Sequence, residues 1–147
     1  MFYKKNYKIT SPYGTRTLNG KVTNHKGIDL VGIDDKTILS PIDGLVQSST
    51  IISDKSNLTW QWGNYIRIDS TDGMRLFFCH LNSRLVKKGD KVKKGQPIGI
   101  EGNTGYSFGS HLHFEVRTSK NISVNPVEYM QKDNKIQGID ATNKKSK

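Results

Sequence analysis

Apolar residues alternate with polar ones over short stretches and never recur at spacings of three and four across a helical length, so the pattern predicts strands rather than helices. The expected strands are Gly27 to Leu30, Thr37 to Leu39, Gly44 to Ser49, Asn64 to Asp69, Met74 to His80, Gln96 to Gly102 and His111 to Arg117. Turn signals stand between them at Ser11-Pro12-Tyr13-Gly14, Asp43-Gly44 and Thr71-Asp72-Gly73. The one internal echo, Val86-Lys87-Lys88-Gly89 followed by Val92-Lys93-Lys94-Gly95, is too short a period for a solenoid. Two glycine-ended turns so close together fold one segment back and hold the strand starting near Gln96 against a neighbour. The expected fold class is mainly β.

A chain of 147 residues, 33% of them hydrophobic, buries one ordinary core, so a single domain is expected. Its expected parts are a lead-in over residues 1–10, a body over 11–130 and a basic, flexible tail over 131–147, where Lys, Asn, Asp and Gln replace apolar residues. The start Met1-Phe2-Tyr3-Lys4-Lys5 has no apolar stretch or small-residue cleavage site behind it, and no run approaches about 18 apolar residues, so neither a signal peptide nor a membrane span is encoded. A lone Cys79 excludes an internal disulfide framework and leaves the compartment open. Lys and Arg number 23 against 13 acidic residues, a net charge of +10 that favours encounter with a polyanion.

The four histidines change the picture. His25 opens the run His25-Lys26-Gly27-Ile28-Asp29, His80 closes Leu76-Phe77-Phe78-Cys79, and His111-Leu112-His113 forms an H-x-H pair. Residues two apart on a strand share a face, so His111 and His113 can converge while Leu112 packs on the other side. His25 and Asp29 share a face in an extended segment and equally on one helical turn, and spacing alone leaves both open. Two imidazoles and a carboxylate supply three ligands to a catalytic zinc and keep its fourth tetrahedral position open. The remaining histidines can then serve as general base or as donors to a developing oxyanion.

At these residues the chain resembles the LytM/lysostaphin-type zinc endopeptidases of peptidoglycan. The likeness runs in order from Ser11 to Tyr129 through Tyr13-Gly14-Thr15-Arg16, His25-Lys26-Gly27-Ile28-Asp29-Leu30, Pro41-Ile42-Asp43-Gly44, Gly63-Asn64-Tyr65 and His80-Leu81. It continues through Gly89-Asp90-Lys91-Val92-Lys93-Lys94-Gly95-Gln96 and from Gly105 to His111-Leu112-His113-Phe114-Glu115-Val116. The resemblance implies that His25, Asp29 and His113 bind one zinc ion, while His80 and His111 flank the attacking water, activate it and stabilise the oxyanion. It also implies a small antiparallel β-sheet domain with a groove walled by loops, and peptidoglycan cross-links or bridges as substrate. Cys79 and Ser110 depart from the small residue and the proline that relatives often carry before these histidines.

Around that set, Glu115 shares parity with His111 and His113 and can orient a ligand. Trp60 and Trp62 share a face where they can stack on sugars or cover the core. The glycine-rich run Gly102 to Gly109 lacks the Lys-Ser/Thr of a phosphate loop and reads as a groove wall. Asn103, Tyr106 and Trp62 are the candidate substrate contacts. Cys79 and His80 are strand neighbours facing opposite ways, which rules against a thiol dyad.

The leading expectation is a zinc endopeptidase of peptidoglycan. A chain starting at Met1 without a leader fits a phage lysin, released from host cytoplasm at lysis or carried on a virion and acting at the cell wall. A catalytically silent wall-binding or regulatory module of the same fold is the alternative. The expected partners are peptidoglycan and, through the basic surface, anionic wall polymers. A nucleic-acid ligand is not expected because no reading motif accompanies the charge. A monomer is expected.

Overall fold

The computed structural model describes residues 2–52, 62–105, 107, 109–130 and 136–137, and these are the described residues below. In chain order the strands are β1 (Tyr7–Ser11), β2 (Gly14–Leu18), β3 (Lys21–His25), β4 (Ile28–Gly32), β5 (Thr37–Leu39), β6 (Gly44–Ile51) and β7 (Asn64–Asp69). They continue as β8 (Arg75–Cys79), β9 (Ser83–Arg84), β10 (Lys91–Val92), β11 (Pro97–Ile100), β12 (Leu112–Arg117), β13 (Ser123–Val124) and β14 (Ile136–Gln137). A 3-10 turn spans Pro126–Tyr129, with Pro126 at its start and the Asn125 side chain accepting from the Val127 amide. No helix among the described residues is long and apolar enough to cross a membrane.

The main sheet runs β10-β6-β7-β8-β12-β4-β1-β14, with β13 also on β12, and a smaller sheet runs β5-β11-β9. All these pairings are antiparallel except β1 with β14. Every expected strand is present within two residues of its bounds. Seven more among the described residues were not expected: the short β9, β10, β13 and β14, and β1, β2 and β3 ahead of the first expected strand, of which β2 with β3 forms a separate hairpin across Asn19-Gly20.

Period-two alternation explains the sheet's two faces. Ile28 and Leu30, Ile66 and Ile68, Leu76 and Phe78, and Leu112, Phe114 and Val116 point to one side and are almost completely buried. They share a cluster with Ile38 and Ile98 of the smaller sheet and with Phe2, Tyr3 and Tyr7 from the first residues. Fully burying side chains of this size contributes about 1.5–3 kcal/mol each, so this face fixes the register. The β12 pairing then places Asp29, His113 and Cys79 in one cross-strand row on the opposite face. Glu115 and Phe77 form the next row of that face.

Candidate metal centre

Each of the four histidines arrives at the metal face by a different local route. His25 ends β3, a bend at Lys26 and Gly27 follows, and Asp29 lies within β4. A bend between two strands, rather than one strand or one helical turn, therefore brings this pair together. His113 lies in β12 beside Asp29 of β4. His111 precedes β12 and pairs with Gly102. His80 follows β8 and takes a left-handed backbone, φ 69°, that a non-glycine residue adopts at a cost. It is held there by its amide donating to the Trp62 carbonyl at 2.7 Å and by Nδ1 donating to the Thr104 carbonyl at 2.7 Å.

Three ligand-type atoms converge. Asp29 Oδ1 is 3.2 Å from His25 Nε2 and 3.1 Å from His113 Nδ1, and those nitrogens are 3.3 Å apart. A carbonyl or carboxylate oxygen only accepts, so each ring's second nitrogen must donate. His25 Nδ1 donates to Pro12 O at 2.9 Å, and His113 Nε2 donates to Glu115 Oε1 at 3.0 Å. With the second nitrogens so engaged, His25 Nε2, His113 Nδ1 and Asp29 Oδ1 turn toward one point, where a proton or a metal ion is needed to offset the repulsion of their lone pairs. Donors about 2.0–2.1 Å from a tetrahedral zinc lie about 3.3–3.4 Å apart, so the spacing and the N,N,O donor set fit that ion. His25, Asp29 and His113 form the one cluster of potential metal ligands among the described residues.

A support chain stands behind His113. Glu115, nearly buried, also accepts from Arg117 Nε at 2.6 Å and Ser123 Oγ at 3.4 Å. The Arg117 guanidinium lies over the Trp62 and Phe77 rings, at 5.3 and 5.0 Å from their centroids. Sequence reasoning placed Glu115 here but missed Arg117, the next residue of the same parity. It also missed Pro12 and Thr104, which act through backbone carbonyls and leave no sequence signal.

Burial disfavours the charged form of each group, and the pairings reverse this where a partner is present. For Asp29 the hydrogen bonds to His113 and His25 outweigh burial and hold the carboxyl well below its usual range. For His113 burial is outweighed by Asp29 and Glu115, and the imidazole is pushed up to about 9. His80 has no such partner, and burial pushes it down to about 4. Burial, then the Glu115 charge, raises the Cys79 thiol, which packs protonated. Proton and metal therefore compete for His113. Zinc titrated at pH 7 into chelator-stripped protein should displace about one proton, and affinity should rise with pH until about 9, as the protonated ring gives way. Calorimetry in buffers of different ionisation enthalpy measures the proton count.

The other expected residues fall nearby or outside the description. His111 Nδ1 donates to Gly109 O at 2.9 Å with Ser107 Oγ at 3.2 Å, and its Nε2 is 3.9 Å from Asp29 Oδ1. The His80 ring is centred 4.7 Å from that of His111 and 6.1 Å from that of His113. Trp62 packs against Tyr65 and Phe77, and Asn103 is exposed between Gly102 and Thr104. Trp60 and Tyr106 lie outside the described residues. Asn24 accepts from Thr15 in the hairpin and takes no part in the cluster. A separate cleft of about 580 Å³, lined by Leu45, Asp69, Lys91 and Val92 among others, opens at the other end of the strands and touches no histidine.

The profile of peptidase family M23 matches residues 23–126, a span that contains all four histidines and Asp29. The chain belongs to peptidase family M23. Its relatives include the peptidoglycan DD-endopeptidase ShyC of Vibrio cholerae, 35% identical over 111 residues, covering 74% of this chain and 24% of that protein. Among solved structures, the catalytic domain of lysostaphin from Staphylococcus simulans is 30% identical with a TM-score of 0.71, over 84% of this chain and 92% of that one. The catalytic domain of the prophage-encoded M23 protein EnpA from Enterococcus faecalis is 32% identical with a TM-score of 0.68, over 82% of this chain and 88% of that one. This M23 chain spans about a quarter to a third of the curated relatives it matches first.

Proposed function

We propose that this chain is a zinc-dependent endopeptidase that hydrolyses the peptide cross-links or bridges of bacterial peptidoglycan. The observation that carries the reading is the convergence of His25, Asp29 and His113 lone pairs at 3.1–3.3 Å beside two further imidazoles. His25, Asp29 and His113 would hold one zinc ion, which supplies an activated water and a polarised scissile carbonyl.

The chain's own groups do the rest. His80 donates through Nδ1 to Thr104 and is kept neutral by burial, so at pH 7 its Nε2 is free to accept a proton from the attacking water. His111, fixed through Nδ1 to Gly109, presents Nε2 toward the same site, where in its protonated form it would donate to the oxyanion. Glu115 holds the His113 ring through Nε2 and makes Nδ1 the better donor to a metal. Asn103, Tyr106 and Trp62 are the residues assigned to substrate contact.

In this reading the enzyme acts at the cell wall as a monomer, and likeness to prophage-encoded EnpA supports a lysin released at phage lysis or carried on a virion. Lys87, Lys88, Lys91, Lys93 and Lys94 are exposed, while Asp90 and Asp43 are turned onto the backbone amides of Lys87 and Lys94. That cationic rim is suited to the anionic polymers of a wall.

The test is mass spectrometry of purified walls of several peptide chemotypes, digested with untreated, chelated and zinc-restored protein and with His80→Ala. New amino termini at one peptide bond, lost on chelation and restored by zinc, are expected. His80→Ala should keep its zinc and lose about 10²–10⁴-fold in rate. Zinc-independent wall binding without cleavage would instead favour a silent wall-binding module.

A further inference from the structure

Glu101 is 3% exposed and lies outside the metal cluster, yet its carboxylate receives four hydrogen bonds. Oε1 accepts from Tyr3 Oη at 2.6 Å and from the Gly32 amide at 2.8 Å. Oε2 accepts from Lys36 Nζ at 3.1 Å and from Ser110 Oγ at 2.6 Å. The two oxygens therefore face different tasks. Oε1 ties the first residues and the end of β4 into the core, and Oε2 reaches the residue immediately before His111.

Ser110 is itself an exposed residue whose hydroxyl turns inward to this carboxylate. Beside it, the His111 amide donates to Gly102 O at 3.1 Å. One side-chain rung, Ser110 to Glu101, and one main-chain rung, His111 to Gly102, thus close the neck of the segment from 102 to 111. The His111 ring takes its orientation from Gly109 O, just inside that neck. A neck held by the main-chain rung alone can twist about it, and ring displacement of about 1 Å costs about 10²-fold in rate.

We propose that Glu101 is a positioning residue for His111, acting through Ser110, so that its Oε2 fixes the ring's aim while its Oε1 serves the fold. The proposal rests on the role given above to His111. Removing the Ser110 hydroxyl should then misplace the ring without unfolding the protein or releasing the metal.

The experiment compares zinc-loaded wild type, Ser110→Ala, Ser110→Thr, Glu101→Gln and His111→Ala on a soluble cross-linked muropeptide dimer, with zinc content, melting temperature and histidine ¹⁵N spectra for each. Ser110→Ala should lower kcat about tenfold or more while KM, zinc content and Tm stay near wild type, with a shifted or broadened His111 Nδ1 signal. Ser110→Thr, which keeps a hydroxyl, should recover most of kcat. Glu101→Gln keeps an oxygen for Tyr3 and Gly32 and turns an amide toward Lys36 and Ser110; the Ser110 hydroxyl can accept from that amide, so kcat should fall less than in Ser110→Ala, while the unmatched Lys36 lowers Tm. Wild-type kcat in Ser110→Ala, or a loss that follows Tm or zinc content, overturns the proposal. Full activity in His111→Ala overturns instead the role given to His111, so the two failures are told apart.

Discussion

His113→Ala is expected to abolish wall hydrolysis, by about 10³-fold or more, and to leave the protein unable to retain zinc through a desalting step. The loss has two parts. One of three converging donors disappears, and the remaining His25 Nε2 and Asp29 Oδ1 make an incomplete set. In addition, Glu115 loses the imidazole bonded to it at 3.0 Å and keeps only Arg117 and Ser123, an imbalance at a nearly buried carboxylate that costs about 1–3 kcal/mol of stability. Metal analysis and turbidity of purified walls separate the parts from His80→Ala, which should lose rate with zinc retained. Zinc bound at wild-type stoichiometry in His113→Ala would remove His113 from the ligand set.

How much of this was legible in sequence depends on whether a feature repeats every second residue. Ile66 and Ile68, Leu76 and Phe78, and Leu112, Phe114 and Val116 announce buried strand faces, and β7, β8 and β12 stand where they place them. The β2–β3 hairpin has no such signal, because Thr15, Thr17, Lys21 and Thr23 are polar and Val22 is exposed. Its mark is turn chemistry: Asn19 and Gly20 both take positive φ, 52° and 79°, as an Asn-Gly hairpin turn requires.

The same divide runs through the site. The cross-strand row of Asp29, His113 and Cys79 follows from strand parity once the pairing is known. The approach of His25 does not, because a bend at Gly27 rather than a shared face delivers it. Glu101 was silent in sequence, since Tyr3, Gly32 and Lys36 lie 98, 69 and 65 residues away and no local pattern links them. The first residues illustrate the same limit: Phe2 meets the Phe114 ring of β12 edge-on at 4.8 Å, a contact between residues far apart in sequence.

Gly27→Ala is expected to damage fold and metal site together, because this bend is where the two meet. An added Cβ would stand 2.5 Å from the Phe114 carbonyl oxygen and 2.8 Å from His113 Cε1. The oxygen belongs to β12 backbone, which pairs with β4 and β8 and cannot retreat alone. The ring is held through Nε2 by Glu115 at 3.0 Å, and its Nδ1 lies 3.1 Å from Asp29 Oδ1 in the ligand cluster, so it cannot retreat without leaving one of them. Overpacking of this kind costs about 1–3 kcal/mol, and displacing a supported ligand weakens metal binding about 10–100-fold. Gly89→Ala is the matched comparison: φ is 96° there and nothing lies within 4 Å of the new Cβ, so about 1 kcal/mol is lost to backbone strain with zinc affinity unchanged. Chemical denaturation and competitive zinc titration read the two quantities separately. If Gly27→Ala lost stability like Gly89→Ala but kept wild-type zinc affinity, the bend would be a feature of the fold alone, and His25 and His113 would not depend on it for their approach.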